Sequence, residues 1–366
     1  MHNIHTMQFS PPVELTLGCQ PGGEADSPCG HAFPDLARFA DRFYLAFRSA
    51  PSHFPSKKSQ IHIYSADGAL DWEPEHHISA GMDIRDPQFL QFHGELYLFY
   101  MSHSMQLFQH EPVSIFFIKK NAGGWSSPSA LPFKQSGFWN VKARGDRVYM
   151  SIYTRNGEQR RVPRHFAFVS SGDLRDWQQL FSSPITRERL RNYQTSESTF
   201  AFDEQGNIFG SIRSLIYPNL NFSINAANPE TWQMRVDRFK CDGPKLFEHS
   251  SQHYLIARRS EFHKLRTEPF RFFNGWRNLA NVLRYSLSRK RTALYRFDPE
   301  KLSISHERDL PSHGDTGYAA IAPINAHEYL LIYYSSPLLD GHDHSWLRGQ
   351  IAGNTRLYQT RLTFSN

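Results

Sequence analysis

The sequence predicts an all-β chain folded as a six-bladed β-propeller with four-stranded antiparallel blades. Three observations carry this reading. A unit of apolar strand, polar turn, apolar strand ending in a polar residue, and outer hairpin recurs six times from Phe33 onward. Its spacing of roughly 50 residues is that of radially repeated sheets. β-prone aromatic residues are abundant, with 29 Phe, 16 Tyr and 7 Trp among 366 residues, and no low-complexity linker interrupts them. The expected organisation is therefore a single propeller domain over 1–366, with a five-bladed ring as the alternative count.

Residues 1–32 read as an irregular segment, punctuated by Pro11-Pro12, Pro21-Gly22-Gly23 and Pro28. Val13–Leu17 is its strand candidate, and either that strand or the C-terminal 355–364 run would close the ring. The first copy is FPDLARFADRFYLAFRS (33–49) followed by QIHIYSADGALDW (60–72). The second is 84–103 with 113–125 outside it, and the third is 138–155 with 165–177. The fourth, SESTFAFDEQGNIFGSIRS (196–214), is followed by 221–232. The fifth is 243–260, resuming at 292–304, and the sixth is 316–336, closed by 355–364. Residues 261–291 interrupt the pattern as a basic-aromatic insertion, part of it helical.

Composition narrows the function. Cys19, Cys29 and Cys241 are too few and too scattered for a disulfide framework or a zinc site. The N-terminus has no apolar h-region and no stretch approaches the ~20 apolar residues of a membrane span, so the expectation is a cytoplasmic protein without a membrane partner. A net charge of +6 suits anionic ligands, but no basic helix or Lys/Arg run marks a nucleic-acid partner. The oligomeric state is not legible.

The fourth copy concentrates the chemistry. Asp203-Glu204-Gln205-Gly206-Asn207 turns the chain between two β-prone runs, so Glu197 and Arg213 come to the same end of one sheet. Taken alone this is as consistent with a rim salt bridge as with a site. Repetition adds to it. Asp35, Asp86, Asn140 with Lys142, Glu197, Lys245 and Tyr318 lie near the starts of inner strands. Arg48, His103, Arg155, Arg213, Arg258 with Arg259, and Ser335-Ser336 lie near the ends of the next strands. Both sets face one end of the axial channel, where desolvation would perturb pKa values.

These motifs resemble the sialidase superfamily of glycoside hydrolases, and in particular an uncharacterised branch of six-bladed relatives. An Asp-Gly turn before Trp72 resembles a degenerate Asp-box. Glu197 and Arg213, with Gln205-Gly206 at the turn, match the superfamily's glutamate-to-arginine hairpin. Gly314-Asp315-Thr316-Gly317-Tyr318 is similar to the segment bearing its tyrosine nucleophile, and Phe47-Arg48-Ser49 to the branch's first blade. The resemblance implies Tyr318 as nucleophile, Glu197 as its base, and Arg213 with Arg258 as a clamp on a sugar carboxylate. Arg48, Arg85, Asp35, His103 and Asp315 would add substrate contacts, with no metal and no cofactor. Two departures stand out. Phe33-Pro34-Asp35 occupies the place of the Arg-Ile-Pro motif, and the loop 50–60 contains no acid, only His53. Asp86 or His53 would then protonate the leaving oxygen.

Arg85-Asp86-Pro87 is also similar to the Arg-Asp-Pro motif of five-bladed fructosidase and arabinanase-type hydrolases, with Asp35, Asp86 and Glu197 as the three acids that resemblance implies. A uronate lyase using His103, His53 and Tyr318 is a further alternative. A glycan- or protein-binding propeller without catalysis is the rival from outside enzymology.

Overall fold

The computed structural model describes residues 6–17, 29–68, 71–105, 112–155, 164–182, 195–214, 217–261, 274–341 and 343–365. Six antiparallel sheets make the blades. Blade 1 comprises Gly30–Phe39, Arg42–Ala50, Gln60–Asp67 and Glu73–Ser79. In blade 2, Asp83–Phe92, Glu95–His103 and Pro112–Asn121 are followed by Gly124–Trp125 and Ser129–Lys134, both paired with Pro112–Asn121. Blade 3 runs Ser136–Arg144, Arg147–Arg155, Arg164–Ser171, Trp177–Ser182; blade 4 runs Thr195–Phe202, Ile208–Ser214, Leu220–Asn225, Asn228–Val236. Blade 5 runs Cys241–His249, Gln252–Ser260, Lys290–Asp298, Ser303–Asp309. In blade 6, Gly317–Pro323, Glu328–Ser335 and Arg356–Ser365 are completed by the N-terminal Thr6–Phe9. The six-bladed count is the observed one, and the five-bladed alternative falls with it.

Ring closure uses both termini. Thr6 pairs with Ser365 and Phe9 with Leu362, while Val13 and Glu14 pair with Gln359 and Tyr358 on the same strand. The sequence reading found Val13 and the C-terminal run but not Thr6–Phe9, a four-residue strand whose alternation of Met7 and Phe9 is too short to register. Within 261–291, helix α1 (Asn274–Leu287) is the helical part, and 262–273 lie outside the described residues. A second helix, α2 (Trp346–Ala352), lies in the blade 6 connection and touches α1. Among the described residues no helix is long and apolar enough to cross a membrane.

The apolar core is divided into six clusters, one between each pair of neighbouring blades. Phe47 and Tyr64 of blade 1 meet Tyr334 and Leu357 of blade 6, for example, and Phe168 meets Phe200 and Phe222 across blades 3 and 4. Large rings suit this wedge-shaped space, each contributing roughly 1.5–3 kcal/mol when fully buried. Polar turn chemistry sets the blade edges. Asp203 Oδ1 accepts from the Asn207 backbone N–H at 2.8 Å, which closes the fourth-copy hairpin. Asp173 Oδ1 likewise accepts from the N–H groups of Arg175 and Asp176 before Trp177.

The first strand of each blade contacts the first strand of the next all the way round. Each of these inner strands also carries a β-bulge. The bulged residues are Phe33-Pro34, Asp86-Pro87, Trp139, Ser196-Glu197, Gly243-Pro244 and Tyr318-Ala319. An extra residue bends its strand and re-aims the side chain, and here six such bends converge on the axis.

Candidate active site

Four bulge residues have positive φ: Phe33 (55°), Asp86 (54°), Gly243 (57°) and Tyr318 (49°). Three of them are not glycine, and for rings such as Phe and Tyr this backbone region is costly, persisting where the surroundings over-determine it. Phe33, Asp86, Trp139, Gly243 and Tyr318 line one axial cleft together with Gln88 and Lys245. The free space left in the cleft is about 10 Å³, roughly enough for one water. Phe33 and Trp139 fill the rest, their ring centroids 4.8 and 5.1 Å from that of Tyr318. Gly243 is required here: a Cβ on it would lie 2.8 Å from the Tyr318 ring.

Tyr318 and Gly243, both lining the cleft, meet Glu197. The phenol donates to Glu197 Oε1 at 2.8 Å, and the Gly243 N–H donates to Oε2 at 2.6 Å. Arg213 donates to the same Oε1. Burial, then the Glu197 charge, pushes the phenol well above its ordinary pKa, against the pull of Arg258 and Arg213. The phenol is thus held protonated, aimed at a carboxylate.

Behind this pair lies a buried ionic network. Asp242, fully buried, is ion-paired with Arg213 Nε at 2.7 Å, with Lys240, and with Arg258 Nη2 at 3.5 Å. Burial alone would raise its pKa, but Arg213, Lys240 and Arg258 together hold it well below the usual carboxylate range. Arg258 continues to Asp315 at 3.6 Å, and its guanidinium lies over the Tyr318 and Trp346 rings. Asp315 accepts from Trp346 Nε1 (3.1 Å) and Tyr334 Oη (3.3 Å), and meets His53 Nδ1 at 2.8 Å. Burial lowers the His53 pKa, outweighing Asp315. The neutral ring therefore donates Nδ1–H to Asp315 and keeps Nε2 as an acceptor.

On the other side, Arg48 and Arg85 share Asp83. Arg48 Nη2 and Arg85 Nε each lie 2.7 Å from its carboxylate. Burial would raise the Asp83 pKa, but the two guanidiniums lower it. Asp86 behaves oppositely: burial first, then the charge of Glu197, pushes its carboxyl up to about 7, with Arg85 only partly offsetting this.

The expected residues thus separate into three groups. Tyr318, Glu197, Arg213, Arg258, Asp315 and His53 form one connected network, and Arg48, Arg85 and Asp86 stand beside it. Asp35 corresponds to Gln88 and not to Asp86, because the equivalent bulges of the two strands align Phe33-Pro34 with Asp86-Pro87. It accepts from Lys245 Nζ at 2.6 Å and from the Phe89 N–H at 2.7 Å, bridging blades. His103 lies opposite Asp83 in the register, with Nε2 3.3 Å from the Met101 sulfur. The Arg155 side chain lies outside the described residues. The sequence reading missed Asp83, Asp242, Lys240, Trp139, Tyr334 and Trp346. Asp83 and Asp242 each stand just ahead of an inner-strand bulge ending in proline, which is the signal that could have found them. Among the described residues, no three His, Cys, Asp or Glu side chains are gathered as for a metal ion.

No protein-family model and no curated protein matches this chain in sequence. Solved structures match in fold. A Dyadobacter fermentans protein of unknown function superposes with a TM-score of 0.67 at 14% identity, over 98% of this chain and 99% of that one. The phage phi92 endosialidase gives 0.62 at 10% identity, over 93% of this chain and 68% of its own. The Trypanosoma rangeli sialidase in complex with the inhibitor DANA gives 0.58 at 11% identity, over 91% and 55%. This chain therefore spans about half the length of that sialidase. In fold, the protein is a six-bladed β-propeller similar to those of these structures.

Proposed function

We propose that this protein is a glycoside hydrolase acting on an acidic glycan, with Tyr318 as nucleophile. The observation that carries the reading is the 2.8 Å hydrogen bond to Glu197 from the phenol of Tyr318, which lines the axial cleft. A phenol whose proton passes to a carboxylate becomes a nucleophile without presenting a full negative charge to an anionic substrate beforehand. Tyr318 Oη attacks the anomeric carbon while its proton moves to Glu197. Asp86 gives its proton to the departing oxygen as that bond breaks. Water then attacks the glycosyl–tyrosine bond, losing a proton to Asp86 as Glu197 returns its own to the phenol. Arg213, fixed by Asp242, orients Glu197.

Asp86 takes the acid role and His53 does not, because the former holds its proton near neutrality and the latter is neutral there. As pH rises through about 7, Asp86 ionises and the rate should fall. Arg85, Arg48, Asp83 and Glu197 all act on that carboxyl, so the limb moves if any of them is changed. Asp86→Asn should slow hydrolysis of an alkyl glycoside by about 10²–10⁴ while barely affecting an aryl glycoside with an acidic leaving group. Equal losses on both would remove Asp86 from the acid role.

The direct test of function is a screen of acidic and neutral glycosides with purified protein, reading released sugar. Release from sialosides or uronosides and not from matched neutral glycosides is expected. Release from neutral glycosides alone would overturn the assignment. One observation favours a second reading: the bare Nε2 of His53, oriented by Asp315, could abstract a proton α to a uronate carboxylate. The unsaturated product of such a lyase absorbs in the ultraviolet, which separates the two chemistries in the same screen.

A further inference from the structure

Two charged clusters meet at the channel mouth, and only one is balanced. Around Asp242, the cations Arg213, Arg258 and Lys240 face the carboxylates Asp242, Glu197 and Asp315. The buried Lys290 beside them, its pKa drawn down to about 6 by burial and by its cationic neighbours, adds little charge. Around Asp83, two guanidiniums with side chains only 1% and 5% exposed share a single ion-paired carboxylate, and the other carboxyl facing them, Asp86, is held toward its neutral form by burial and by Glu197. Arg48 also donates to the Ser52 and Phe54 carbonyls at 3.2 and 3.0 Å, which are dipoles and not charges. A buried cation without its own counter-ion is costly. The imbalance is visible in Arg48, whose pKa is drawn down to about 10 by burial and by Arg85 despite Asp83, whereas those of Arg213 and Arg258 are raised.

What lies over the surplus charge is Phe33. The Arg85 and Arg48 guanidinium carbons are 5.7 and 6.0 Å from its ring centroid. The same ring packs on Tyr318, His53 and Tyr334 with centroids 4.8, 5.2 and 5.9 Å apart. It is held there at a φ of 55° and is 4% exposed. An aromatic face attracts a guanidinium far less than a carboxylate does.

We propose that Arg48 and Arg85 form a carboxylate seat beneath Phe33, and that the Phe33 ring fills this seat until an acidic ligand displaces it. Displacement exchanges two cation–π contacts for charge-assisted hydrogen bonds and opens the space beside Tyr318 that a sugar ring needs. The inference rests on reading the cleft as a substrate site, and it names the part of that site that selects for acid.

Phe33→Gly empties the seat and suits the positive φ. The probes are benzoate, which can replace the ring and offer a carboxylate, and benzyl alcohol, its neutral counterpart, both titrated by calorimetry. The variant is expected to bind benzoate at least about tenfold more tightly than wild type, with no such gain for benzyl alcohol. Adding Arg85→Gln leaves Arg48 and Asp83 evenly matched and should abolish the gain. A gain equal for both probes, a gain that survives Arg85→Gln, or no gain at all would each overturn the proposal. If Phe33→Gly does not fold, Phe33→Ala is read by the same criteria. Because the experiment reads binding alone, it can fail while glycosides are still turned over, and succeed on a protein that hydrolyses nothing.

Discussion

Asp242→Asn is expected to destabilise the fold by about 3–5 kcal/mol, the cost of leaving buried charge unmatched. Asp242 is fully buried and serves three cations at once. Without its charge, Arg213, Lys240 and Arg258 confront one another with only Glu197 and Asp315 to offset them. Against a typical total of about 5–15 kcal/mol, such a loss is a large fraction of stability. Chemical denaturation with fluorescence readout would measure it as a lowered midpoint at unchanged slope. The exposed Arg42–Asp67 pair, 3.1 Å apart with the aspartate 76% exposed, is the control. Asp67→Asn should change stability by no more than about 1 kcal/mol. A similarly small effect at Asp242 would mean that water reaches the network. The pH sign follows from the depressed pKa: Asp242 stabilises the fold above the ordinary carboxylate value of 3.8, and that contribution is lost as pH falls below it. Asp242→Asn should therefore flatten the acid limb of wild-type stability.

Tyr318→Phe is expected to lower kcat on an acidic glycoside by about 10³ or more, the scale on which removal of a covalent nucleophile acts. The stability cost should be small beside that. One hydrogen bond to a carboxylate is lost, worth about 1.5–3 kcal/mol, while the ring keeps its packing on Phe33, Trp139 and Tyr334. Affinity for a substrate analogue should change little, since shape and charge are preserved. The kinetic signature is thus a fall in kcat with little change in analogue binding. Wild-type turnover in this variant would leave Tyr318 a buried structural tyrosine.

The parts of the site legible in the sequence are those set by local geometry. Glu197 and Arg213 flank a turn whose chemistry is written in Asp203–Asn207, so their meeting follows from one hairpin. Tyr318 follows from the phase of the repeat. Asp242 and Asp83 were not legible because their meaning depends on partners from other blades: Arg213 belongs to blade 4 and Arg48 to blade 1. Asp35 shows the other limit. The repeat placed it level with Asp86, but the matching bulges of the two strands align Phe33 with Asp86 and Asp35 with Gln88. Bulges leave no periodic mark in a sequence, and here all six inner strands carry one. The blade count survived because it rests on many alternating apolar positions, each worth little alone.

The central claim is that Tyr318 Oη becomes covalently bonded to the sugar. Its most direct test is peptide mapping by mass spectrometry after quenching the protein with a slow fluorinated acidic glycoside. One glycosyl group attached at Tyr318, absent when Tyr318→Phe is treated identically, is the expected result. Turnover of that glycoside with the adduct on another residue, or with no adduct at any stage, would contradict the account.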